Sequence, residues 1–182
     1  VGCERKVTNE SVQDPGFAGA DECMTCHNDA DGILQQAQGE WQNSIHASGN
    51  FVDYTNRGGG SDCVMCHDHQ GFVQWITTDT ITPPYSNVSA IHCFTCHAPH
   101  ENGDFRLRAS GAYTLKNAVV FDHGAANLCA NCHHNRTDVR AEVVANKATT
   151  NRFGPHHGPQ GDLLHGTGGY QHAGYTYTTS TH

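Results

Sequence analysis

Apolar residues recur at helical spacing in two short stretches of this chain. In Glu40-Trp41-Gln42-Asn43-Ser44-Ile45-His46, Trp41 and Ile45 stand four apart and predict an amphipathic segment with one apolar side. Over Thr137 to Lys147, Val139, Val143 and Val144 mark the apolar side of a second helix. Elsewhere breakers dominate. Pro15, Gly16 and Gly19 act against regular structure in residues 1–20, and loop signals stand at Gly58-Gly59-Gly60 and Pro83-Pro84. From Thr149 onward glycine, histidine, threonine and tyrosine prevail; Tyr170, Tyr175 and Tyr177 are read as docking this tail, with contact to another chain as the other role.

Composition agrees with that pattern. Hydrophobic residues make up 36% of the 182, and twenty glycines with six prolines predict a mostly irregular, loop-rich fold with a few short α-helices. Something besides aliphatic side chains has to fill its interior. Nine cysteines and fifteen histidines are the anomaly, and they point to ligation of a metal or cofactor. The formal charge of −8 argues against a nucleic-acid partner. No apolar run is long enough to span a membrane, and the expectation is that any export signal has been removed.

Eight of the nine cysteines fall into one repeated pattern. Cys-x-x-Cys-His occurs at Cys23, Cys26 and His27; at Cys63, Cys66 and His67; at Cys93, Cys96 and His97; and at Cys129, Cys132 and His133. Cysteines three apart on a helical turn face the same way and can form thioethers to the two vinyl groups of one haem, and the following histidine reaches the iron. Zinc sites and disulfide frameworks do not require a histidine directly after every second cysteine. The motifs therefore predict four covalently attached haems c and, because such haems are attached beyond the cytoplasmic membrane, a periplasmic or extracellular protein.

The sixth iron ligand separates a carrier from an enzyme. Both methionines, Met24 and Met65, lie inside haem motifs and are badly placed to reach another iron. Eleven histidines remain: His46, His69, His92, His100, His123, His134, His156, His157, His165, His172 and His182. Bis-histidine ligation throughout is the economical reading, giving low-potential haems that pass electrons. Among the eleven, His46 is preferred because it ends the Trp41–Ile45 segment. His100 is favoured behind Pro99, and at least one of His156 and His157 between Pro155 and Gly158. His69 and His134 follow their own motifs so closely that each would serve a different iron.

The motif starts lie 40, 30 and 36 residues apart (63−23, 93−63, 129−93) without a true repeat. The expected organisation is an N-terminal arm over 1–20 and one tetrahaem domain over 21–182, wrapped around a row of four haems, with the tail from about 149. A domain of this length has a radius of gyration of roughly 16 Å, so four porphyrins inside it lie nearly in contact.

These residues together resemble a known family, the multihaem cytochromes of metal-reducing bacteria that polymerise into extracellular filaments. The resemblance covers most of the chain. It rests on the four motifs, on Trp41-Gln-Asn-Ser-Ile-His46, on Cys93-Phe-Thr-Cys-His-Ala-Pro-His100, and on Gly154-Pro-His-His-Gly-Pro-Gln-Gly-Asp-Leu-Leu. It implies bis-histidine haems stacked along a filament, one iron in each subunit taking a histidine from its neighbour. It also implies location outside the cell or on its outer surface, with other cytochromes or extracellular metal oxides as redox partners.

Two other readings stay open, a monomeric periplasmic shuttle and a multihaem reductase with one open haem. Against the reductase, no motif replaces its histidine with lysine, and no constellation of acid, base and nucleophile stands out, so the chain is read as an electron-transfer protein and not an enzyme. Val1-Gly2-Cys3 resembles the end of a bacterial lipoprotein signal. Lipidation of Cys3, which would bring the chain to a membrane, is left open beside a thiol and an intermolecular disulfide.

Overall fold

The computed structural model describes residues 32–48, 61–85, 88–98, 106–145, 161–168 and 172–177. The predicted arm over 1–20, Cys3, the first motif (Cys23, Cys26, His27), Gly58-Gly59-Gly60, His100, His156, His157, Tyr170 and His182 lie outside them. The chain groups into two compact units, Val1–Thr95 and Cys96–His182, and the division falls inside the third motif. Among the described residues no helix is long and apolar enough to cross a membrane.

In the first unit α1 runs over Ile33–Gln42 and α2 over Ile45–Ser48. The segment expected to run unbroken through Glu40–His46 is therefore two helices. The side chains at the break explain it: the Asn43 amide donates to Gly39 O at 2.7 Å, and Ser44 Oγ donates to Trp41 O at 2.7 Å. Such local bonds offer the backbone an alternative to continuing the helix. Trp41 is half-buried and its indole N–H donates to Ile91 O at 2.7 Å, whereas Ile45 is 82% exposed. The two apolar residues do not share a buried face.

A tight helical pair follows, α3 over Ser61–His67 and α4 over His69–Thr78. Only Asp68 separates them. It is buried, and its carboxylate caps α4 by accepting from Gly71 N–H at 2.6 Å. Gly71 is where the helices touch, since a Cβ there would stand 2.4 Å from Val64 O. Val64, beside that contact, and Phe72, next to Gly71 in sequence, are both buried. The segment beyond α4 folds back on Gln74, whose side-chain oxygen accepts from Thr82 N–H at 3.0 Å and from the Tyr85 hydroxyl. Helix α5, Cys93–Cys96, carries the third motif across the boundary between the units.

The second unit adds regular structure that the sequence pattern did not announce. Strands β1 (Tyr113–Thr114) and β2 (Val120–Phe121) pair antiparallel, Tyr113 opposite Phe121 and Thr114 opposite Val120. Leu115, Phe121 and Ala130 form the apolar centre, with Tyr113, Val119 and Ala126 packed around it. Ala130 belongs to α6 (Ala126–Ala130). Helix α7 spans Val139–Val144, shorter than the predicted Thr137 to Lys147, and starts where Asp138 accepts from Arg140 N–H at 3.0 Å and Ala141 N–H at 3.2 Å. Its apolar side is not covered: no residue of α7 is buried, and Val144 is 71% exposed. The last described helix is α8, Gly161–Leu164.

Buried polar residues outnumber buried apolar ones among the described positions. Val64, Phe72, Leu115, Phe121, Leu128 and Ala130 form the apolar set, against Asp68, His92, Thr95, Asn127, Asn131, His134, Asn135 and Asp162. A purely aliphatic core normally dominates a domain of this length. Among the described residues, Asp68, His92, Thr95, Asn127, Asn131, His134 and Asn135 lie within or next to the motifs in sequence.

Candidate functional site

Each of the three described motifs lies on a helical turn. Cys63, Cys66 and His67 sit in α3, Cys93 and Cys96 begin and end α5, and Cys129 lies in α6 with Cys132 just past its end. The fourth motif keeps helical bonding to its histidine, because His133 N–H donates to Cys129 O at 2.8 Å. Spacing of three on such a turn puts both sulfurs of a pair on one side.

Cysteine is among the residue types most often fully buried. Here none of the six described cysteines is: Cys93 and Cys129 are exposed, and Cys63, Cys66, Cys96 and Cys132 are half-buried. Thiols in that position are reachable by an external group. All three sulfur pairs and their histidines therefore fit covalent attachment of a haem, and among the described residues no cluster of three or more histidines, cysteines or carboxylates forms a closed metal cage.

Two of the predicted distal histidines are held in a defined way. The His134 side chain is buried, and its Nδ1 lies 2.9 Å from Ala130 O. A carbonyl only accepts, so Nδ1 carries the proton and the lone pair is on Nε2, the tautomer that iron ligation requires. The Tyr113 hydroxyl meets that Nε2 at 3.3 Å. Burial lowers the His134 pKa, opposed by the bond to Ala130, and Lys116 adds to the lowering. The imidazole is thereby kept neutral and able to bind a metal.

His69 opens α4, and its Nδ1 lies 2.9 Å from Thr95 Oγ1. The same hydroxyl accepts from His92 N–H at 3.0 Å. The hydroxyl, while accepting from His92 N–H, can either donate its own proton to His69 Nδ1 or accept a second one, so the contact holds the ring in place in either tautomer. The rings of His69 and His92 stack at 4.1 Å. His92, absent from the preferred ligands, is buried and differs in kind: its Nδ1 accepts from Phe94 N–H at 3.2 Å, so its neutral form carries the proton on Nε2.

His46 is exposed on α2. His97 forms a backbone bridge to Leu107, flanked by Ala98 N–H to Arg106 O at 3.0 Å and Arg108 N–H to Cys96 O at 2.8 Å. Behind the fourth motif, Asp162 is buried and its carboxylate accepts from Asn135 N–H at 2.8 Å. Gly161 N–H donates to His133 O, so 161–168 lies directly on the motif turn.

Sequence reasoning missed a further pair. His123 and His165, 42 residues apart, meet with Nε2 to Nδ1 at 2.9 Å. No local signal announces such a contact; the weak hint is that each is followed by glycine. No protein-family model, no curated protein and no solved structure matches this chain.

Proposed function

We propose that this chain is a tetrahaem c-type cytochrome that conducts electrons through four closely spaced bis-histidine haems, polymerised into a filament outside the cell. The observation that carries the reading is the fourfold Cys-x-x-Cys-His pattern, whose described cysteines sit on helical turns and stay out of the core. A small apolar core with many buried polar side chains supports it, since the porphyrins would supply the missing apolar bulk. So do His134, held through Nδ1 in the state that offers Nε2 to iron, and His69, whose ring is tied in place to Thr95 inside the third motif.

Haem supplies the one-electron chemistry; the chain holds each group by two sulfurs, sets its ligands and limits its contact with water. In this reading a histidine of one subunit completes the coordination of an iron in the next, and other cytochromes or extracellular metal oxides exchange electrons with the polymer. Two measurements test it. Mass spectrometry of the denatured protein is expected to find four haems still attached, and changing both Cys63 and Cys66 to serine should leave three. Electron microscopy should then find filaments. A protein with no covalent haem would sink the whole reading, and a haem-loaded protein that stays monomeric at every concentration would make it a soluble shuttle.

A further inference from the structure

The His123–His165 pair belongs to the segments beside the fourth motif and lies outside the preferred distal ligands. His123 lies just past β2, its backbone N–H held by Asn127 Oδ1 at 2.7 Å. Asn127 is itself buried and tied to Ser110 O and Asp122 Oδ1, both at 3.0 Å, so the position of His123 is braced from below. His165 follows α8, where its N–H donates to Gly161 O at 2.8 Å. Phe121 packs on both rings, with centroids 4.5 Å from His123 and 6.0 Å from His165. The outer side is open: His123 is exposed and His165 half-buried. Gly124 and Gly166, directly after the two histidines, have φ of 61° and 80°, and a Cβ at Gly124 would meet nothing within 4 Å. Two His-Gly turns thus face each other across an unobstructed edge.

The nitrogen separation selects what fits between them. Imidazole nitrogens bind late first-row ions at about 2.0–2.1 Å, so two on one ion at a right angle stand about 2.9 Å apart, and two on opposite sides about 4 Å. The observed 2.9 Å matches the right-angle arrangement and is too short to bracket a haem iron from its two faces.

We infer that His123 and His165 form a two-histidine site for copper(II), whose tetragonal coordination sets neighbouring ligands at right angles, bound through His123 Nε2 and His165 Nδ1. Imidazole is a favoured donor for this ion, whereas tetrahedral zinc(II) would hold two nitrogens about 3.3 Å apart. The proton shared by the two rings moves to the far nitrogen of its own ring, so two neutral imidazoles present two lone pairs with no change in net charge. Among the described residues no third metal-binding side chain joins the pair, and water completes the coordination on the open edge. Bound there, the ion clips 161–168 to the end of the β-hairpin and stabilises the folded form by mass action.

The haem-loaded protein, titrated with copper(II), provides the test. Calorimetry should detect a site that His123→Gln and His165→Ala each weaken by at least ~10-fold. The electron paramagnetic resonance spectrum of the copper form should carry hyperfine structure from two nitrogens in the wild type, and one in either variant. Haem absorption should be identical in all three proteins, which also controls for folding. Unchanged metal affinity in both variants would overturn the proposal. A high-spin haem signal in either variant would overturn it too, because the residue would then be an iron ligand, and the tetrahaem reading would stand regardless.

Discussion

The second and fourth motifs are each followed almost at once by another histidine, and the chain treats the two in opposite ways. His134 is buried and hydrogen-bonded to Ala130 O, four residues back on its own helical turn. His69 is half-buried and reaches 26 residues forward to Thr95, inside the third motif. One histidine is held by local helix geometry, the other by a tie between consecutive motifs. The supports differ accordingly. Ala130, whose carbonyl holds His134, belongs to an apolar cluster with Leu115 and Phe121, whereas the α3–α4 pair that presents His69 has buried Val64 and Phe72, a close glycine contact and a buried aspartate cap. Similar spacing in sequence therefore does not mean similar mechanical security.

The glycines test this most strongly. Gly71→Ala puts a methyl 2.4 Å from Val64 O, a backbone atom that can yield only if α3 and α4 separate. The expected loss is about 3 kcal/mol, read as a lowered denaturation midpoint. Gly161→Ala meets His133 O at 3.0 Å, which a shift of a few tenths of an ångström relieves, so the loss there should be about 1 kcal/mol. Equal losses at the two sites would dissolve the contrast.

Much of this was legible from residues near one another in sequence. The spacing of cysteines and histidines announced the helical turns of the three described motifs, because spacing of three and helix geometry are the same information. Asp138 before Val139 was a readable N-cap that would have moved the predicted start of α7 two residues later. Less legible was the break after Gln42, since it depends on Asn43 and Ser44 choosing backbone carbonyls over helix continuation. Neither the His123–His165 pair nor the Thr95 tie has a local signature; both arise from contacts many residues apart.

Thr95 is the next lever on the comparison. Its hydroxyl is buried, accepts from His92 N–H and meets His69 Nδ1, so Thr95→Val keeps the shape and removes both bonds. A stability loss of about 1–2 kcal/mol is expected. The spectroscopic consequence should be specific: if His69 ligates iron, losing its Nδ1 partner lowers the basicity of that ligand and raises the potential of one haem out of four. A variant with lowered stability and four unchanged potentials would show that Thr95 is only a packing residue.

The smallest effect concerns acid. Burial holds the His134 pKa below 6.5, so the folded protein takes up a proton there less readily than the unfolded chain. The sign follows from linkage: the unfolded state binds more protons as the pH falls through 6.5, and stability declines until the folded-state value is passed. Above 6.5 the contribution is fully present. Iron ligation at Nε2 acts in the same direction, because only neutral imidazole binds the metal. Denaturation midpoints measured across that window should therefore fall on acidification in the wild type and fall less in His134→Gln. An acid slope that His134→Gln left unchanged would show that burial of this histidine is the wrong account of the protein's acid sensitivity.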